Sequence, residues 1–176
     1  MTRNKKPTLF VSSSVYGSEE LLNQLHGVLK GFGYEVWMSY KGSFFVPSDK
    51  PTFGNCLRAV KECDLFLGII TPSYGSGKEA GKLSITHQET QLAIKLDKPR
   101  WFLAHADVVF ARRLLRDLGY DTAAERKKLQ LKPGAKSITD LRVIDMYEDA
   151  IRHDEPELEK RTGNWVQEFN FTKDVL

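Results

Sequence analysis

One carboxylate stands out by its position. In "KLSITHQETQLAI", Lys82 to Ile94, Glu89 shares a four-three-four spacing with Ile85, Leu92 and Leu96, which sets it on a helix stripe facing the rest of the fold. A carboxylate turned inward is costly unless it is paired or used. Two helix starts compete for it. Thr86 and Glu89 form the T-x-x-E of a capping box, in which Glu89 reaches back to the Thr86 N–H and is structural. If Ser84 is the cap instead, Glu89 lies one turn inside the helix and is free for chemistry.

Other residues fit a nucleotide site around it. Ser12, Ser13 and Ser14 offer hydroxyls and backbone N–H groups just before a helix start, a geometry that suits phosphate. The alternative is an ordinary strand-to-helix turn with Ser18 as cap. Tyr16 and Tyr74 can each lay a flat face on a base or ribose, or simply pack. With Ser84 they complete the set expected to bind substrate around Glu89. His87, two residues from Glu89 on the same helix, points elsewhere, toward solvent or a loop. His105, at the end of a strand, is a further ligand-contact candidate. The two cysteines, Cys56 and Cys63, are seven apart on one helix, roughly 10 Å along its axis, which is too far for a disulfide. Neither has a metal-ligand partner at suitable spacing, so no metal site is expected and both read as reduced packing residues.

The elements that must position these residues alternate. "LFVSSS" is a first strand, Leu9 to about Ser13, without polar alternation because both faces are covered. A helix follows with Ser18 as cap, Glu19 and Glu20 in its first turn, a stripe of Leu22, Leu25, Val28, Leu29 and Phe32, and Gly33 as its stop. "YEVWMS" is a second strand. A helix striped by Phe53, Cys56, Leu57 and Val60 comes next, then the strand "DLFLGII", the Glu89 helix, the strand "RWFLA" and a helix from Asp107. "LRVIDMY" reads as a fifth strand. This is the pattern of a parallel α/β sheet covered on both faces, with the first strand beside the third and the second outside. In such sheets ligands bind at the carboxyl ends of the strands where the order reverses, which is where the serines, Tyr74 and Glu89 converge.

The size is that of one domain, 1–176, with a core of about 7–120 and a basic loop and C-terminal extension over 121–176. The aromatic ending "NWVQEFNFTKDVL" stops abruptly, as if the chain were the N-terminal domain of a longer protein. The 26 basic and 23 acidic residues are mixed along the chain, so the net charge of +3 favours small anions slightly and does not argue for nucleic acid. "AERKKLQLKPGAK" lacks interleaved aromatics and reads as a solvated loop. Apolar runs are short and the N-terminus is not a signal peptide, so the expectation is a soluble, cytoplasmic protein with no membrane partner.

The order "LFVSSSVYG", "DLFLGIITPSYG", "SITHQETQLAI" and "DKPRWFLA", with "NWVQEF" near the end, resembles a bacterial TIR-like domain family of unassigned function, related to TIR domains and nucleoside 2-deoxyribosyltransferases. The resemblance covers roughly Pro7 to His105. It implies a flavodoxin-like sheet of about five strands in the order 2-1-3-4-5, and a glutamate, here Glu89, that acts on the ribose at an N-glycosidic bond. NAD is then the expected substrate (an NADase or cyclase in bacterial antiphage defence), with no resident cofactor. Two further expectations follow, a nucleotide-binding or self-assembly module without turnover and a nucleoside or nucleotide N-glycosidase or deoxyribosyltransferase. In TIR domains the loop after the second strand mediates self-association, which makes Phe44 and Phe45, near Trp37 and Tyr40, an assembly surface or a lid. Two positions depart from these relatives. The Trp-Cys pair common before the glutamate of TIR enzymes is absent, and the aspartate that deoxyribosyltransferases carry six residues before theirs is Leu83.

Overall fold

A computed structural model describes residues 5–43, 52–75 and 82–176. Its strands are β1 (Thr8–Ser13), β2 (Glu35–Trp37), β3 (Leu65–Ile70), β4 (Arg100–His105) and β5 (Val166–Phe169). They form one sheet in the order β2-β1-β3-β4-β5, and every pairing is parallel. The helices are α1 (Glu19–Gly31), α2 (Thr52–Glu62), α3 (Ile85–Lys95), α4 (Ala106–Asp117), the single turn α5 (Ala123–Arg126) and α6 (Arg142–Ala150). This is a flavodoxin-like α/β sheet.

The central strands β1 and β3 are covered on both faces, a parallel strand offering side chains alternately to each. Leu9 and Val11 of β1 pack with Leu21, Leu22 and Leu25 of α1 on one face. Phe10 packs on the other with Val60 of α2, Ala93 of α3, Val108 of α4 and Val143 and Ile144 of α6. Ser12 follows Phe10 by two residues and so points to that second face, the one covered by α2 and α3.

The fifth strand is not where the apolar run suggested. "LRVIDMY" is α6, and β5 comes from "VQEF". Val143, Ile144, Met146 and Ala150 are buried at helical spacing, and their common face packs on the second core. The strand "VQEF" is a short edge strand whose middle residues are exposed, too brief to show a period of two. Three expected stripe residues also lie outside the core: Phe32, Phe53 and Leu96 are exposed. Ser18 stands at the start of α1, although its side chain makes no capping bond, and Gly33 turns the chain at a positive φ of 96°.

The glycine at the centre of the sheet is a packing requirement. Gly68 pairs with Phe102 in register, and a Cβ there would stand 2.5 Å from that ring. Gly68→Ala is therefore expected to destabilise by about 1–3 kcal/mol through overpacking, against the usual gain from replacing a strand glycine. A urea melt that shows equal or higher stability would contradict this.

Candidate active site

The start of α3 decides what Glu89 is for. Ser84 is the cap, with extended φ and ψ of −60° and 157°, and its Oγ accepts from the His87 N–H at 3.3 Å. Thr86 lies inside the first turn, so the Thr86 capping box does not form and Glu89 is one turn into the helix. The buried face of α3 is Thr86, Glu89, Thr90 and Ala93, rotated slightly from the stripe through Leu92 and Leu96. Ser84 is itself buried, and its N–H donates to Tyr74 Oη at 3.3 Å, which fixes the loop after β3 against the helix start.

Glu89 is 4% exposed and faces the carboxyl half of β1. Ser12 Oγ donates to its Oε2 at 2.5 Å. The Cys56 thiol, on α2, is its second partner. Burial pushes the Glu89 carboxyl up to about 7, while the bonds from Ser12 and Cys56 pull the other way. Burial and the Glu89 charge together push the Cys56 thiol up to about 12, so it is a thiol donor at neutral pH and no nucleophile. In the sequence alone Cys56 is only a packing residue. Its stripe with Val60 was visible, and right-handed crossovers from the second to the third and from the third to the fourth strand place both helices on one face, which is the signal that pairs it with Glu89.

The serines divide the work. Ser12 holds Glu89, whereas Ser14 Oγ shares a hydrogen bond with Thr71 Oγ1 at 2.8 Å and ties the ends of β1 and β3 together. Ser13 Oγ donates to the Ser14 carbonyl at 3.0 Å. Beyond them, at the carboxyl edge, opens a cavity of about 500 Å³ lined by Val15, Tyr16, Glu19, Ser73, Tyr74 and Gly75, among others. Gly75 has a φ of 89°, and a Cβ there would touch Ser14 and Thr86 at 3.4 Å, so the cavity wall rests directly on the layer that holds Glu89. Tyr16 is 85% exposed at this cavity, a free platform, and Tyr74 is buried.

His87 does point away from Glu89, but not to solvent. It is buried, sharing hydrogen bonds with Tyr74 Oη through Nδ1 and with Asp149 of α6 through Nε2, each at 2.8 Å. Once "LRVIDMY" is a helix, this side of α3 is covered, which is why the solvent-facing alternative fails and the loop contact holds. His105 caps α4, its Nδ1 accepting from the Asp107 N–H at 3.2 Å, and stacks edge-on against Phe169. Phe44 and Phe45 lie outside the described residues. The basic segment after Tyr120 is not wholly solvated, because Arg126 is buried against Asp145 and Glu148.

Fold and site together define a flavodoxin-like α/β domain with a buried glutamate at the reversal of strand order. The chain belongs to the family described as "Domain of unknown function (DUF4062)", which matches residues 8–155. No curated protein matches the sequence. Among solved structures it is similar to a 2-deoxyribosyltransferase from the psychrotolerant bacterium Bacillus psychrosaccharolyticus, at 21% identity and a TM-score of 0.41, over 55% of this chain and 72% of that one. It is also similar to a 2-deoxyribosyltransferase from Leishmania mexicana, at 12% identity and a TM-score of 0.44, over 81% of this chain and 97% of that one. No helix among the described residues is long and apolar enough to cross a membrane.

Proposed function

We propose that this domain binds a nucleoside or nucleotide at the carboxyl edge of β1 and β3, and that Glu89 acts on the ribose at the N-glycosidic bond. The observation that carries this is the Glu89 carboxylate itself. It is turned inward one turn into α3, held by Ser12 and Cys56 beneath the cavity wall, with a pKa near neutrality. Breaking a base–sugar bond develops oxocarbenium character at C1′. An ionised Glu89 would bond to C1′ or stabilise its charge while the C1′–N electron pair leaves with the base, and water then releases the sugar. Tyr16 would take the base or ribose face and the Ser73–Gly75 segment the opposite wall.

Because Glu89 must be ionised to act, base release per enzyme at low substrate is expected to rise with pH through about 7 and then level. The test is chromatographic detection of free base from ribonucleosides, 2′-deoxynucleosides, nucleoside monophosphates and NAD. Release of base from any of them, with that pH profile, supports the reading. No release from all four, or a rate falling with pH across neutrality, contradicts it. The NAD arm decides whether the TIR-like expectation applies, since nicotinamide leaves without needing a proton.

A second reading, a nucleotide-binding or self-assembly module without turnover, draws on the same closure. Ser12 and Cys56 already satisfy Glu89 inside the fold, as a purely structural carboxylate would require. Saturable nucleotide binding without base release is its expected outcome.

A further inference from the structure

The opposite edge of the sheet carries a cleft that Glu89 and its cavity do not use. It measures about 690 Å³ and lies where the chain enters β1 and β2, beside the last turns of α1. Lys5 and Lys6 run along it next to Tyr34 and Glu35, since the Glu35 N–H donates to the Pro7 carbonyl at 3.0 Å. Lys30 and His26, one turn apart on α1, form another wall. Lys30 and Lys41 both push the His26 pKa down, after burial, so Lys41 adds its charge to this edge without lining the cleft.

None of Lys5, Lys6, Lys30 and Lys41 makes an ion pair among the described residues. The α1 dipole favours a cation at Lys30 but accounts for none of the others. Of the carboxylates nearby, Glu35 lines the cleft and accepts from the Trp37 indole at 3.0 Å, and Asp64 accepts from the Thr8 N–H and hydroxyl, with Lys5 adding only a longer-range field. A concavity with Lys5 and Lys6 on one side, Lys30 on another, a tyrosine ring in its wall and Glu35 as the one carboxylate among its described lining residues has the composition of a phosphate site rather than of an evenly solvated surface.

The geometry points to a second binding site here, for a small ligand bearing a chain of two or more phosphates, with Lys5, Lys6 and Lys30 on the phosphates, Lys41 adding its charge from nearby and Tyr34 available to a base. Its lysines gather around one open cleft, which favours a free oligophosphate, such as a nucleoside triphosphate, over a nucleic-acid backbone, which would call for an extended basic track.

The test is titration calorimetry of the full chain with inorganic tripolyphosphate and with ATP at low salt. Saturable binding is expected, weakened by added salt and by roughly tenfold or more in Lys30→Ala/Lys41→Ala. Lys5→Ala/Lys6→Ala, in an exposed segment, should weaken it likewise if the first variant folds poorly. Tripolyphosphate carries no base or sugar for the Glu89 edge, so its saturable binding, and the loss of that binding in the lysine variants, separates this site from the one at the other edge. Absence of saturable binding to both probes, equal binding in both lysine variants, or binding of a short oligothymidylate when neither probe binds would overturn it.

Discussion

At pH 8 the Glu89→Gln protein is expected to melt well above wild type, and near pH 4.5 the two should coincide. The folded-state pKa of Glu89 is about 7, against an ordinary value of 4.5, because burial disfavours the charged form. Between those values the folded protein keeps a proton that the unfolded chain has released, so wild-type stability falls as pH rises through this window and the loss is complete above it. The full difference is on the order of 3 kcal/mol, or roughly 5–10 °C for a chain of this size. Glutamine keeps the shape and an acceptor for Ser12 without the charge. Thermal melts of both proteins across this range check it. Equal melting at pH 8 would mean that Glu89 is solvated or otherwise compensated, and that its burial stores no free energy.

Arg126 carries the second large effect. It is buried at 3% exposure, with Nη2 bonded to Asp145 at 2.6 Å and to Glu148 at 2.5 Å, and Nη1 donating to the Asp121 carbonyl at 2.7 Å. Arg112 shares Glu148 at 3.0 Å. This cluster pins α5 and the preceding turn to α6. Arg126→Ala leaves Asp145 without this partner and opens the space the guanidinium filled, so a loss of about 3–5 kcal/mol is expected in urea unfolding. Lys127→Ala, an exposed neighbour, should stay within about 0.5 kcal/mol. A small loss at Arg126 would show that water replaces the guanidinium and that the cluster does not hold α6 in place.

The sequence made β1 to β4 and their helices legible because each is long enough to show its period and both sheet faces bury apolar runs. The place of the first strand beside the third, with the second outside, followed from right-handed winding, and Ser84 stood in "KLSITHQET" as one of two possible caps. The choice between them was not local. Ser84 is fixed by Tyr74, ten residues earlier in the chain, through a hydrogen bond that no window of the sequence displays. The same reason hid the partner of His87, since Asp149 lies on α6, and α6 in turn was hidden because a run of seven residues, five of them apolar, fits a strand as well as a short helix. "VQEF" resisted because an exposed edge strand has no apolar face of its own to announce it. The helical spacing of Ile85, Glu89, Leu92 and Leu96 and the place of their helix after the third strand already single out Glu89. The structure adds what surrounds it, Ser12 from the strand and Cys56 from a neighbouring helix.

The account rests on Glu89 acting as a chemical group and not only as a buried polar one. The most direct measurement is base release by wild type beside Glu89→Gln, on whichever nucleoside, nucleotide or dinucleotide the wild type turns over, with melting curves showing that both proteins are folded. Release is expected to fall by about 10³-fold or more in the variant while its stability is equal or higher. Release at the wild-type rate from folded Glu89→Gln would contradict it.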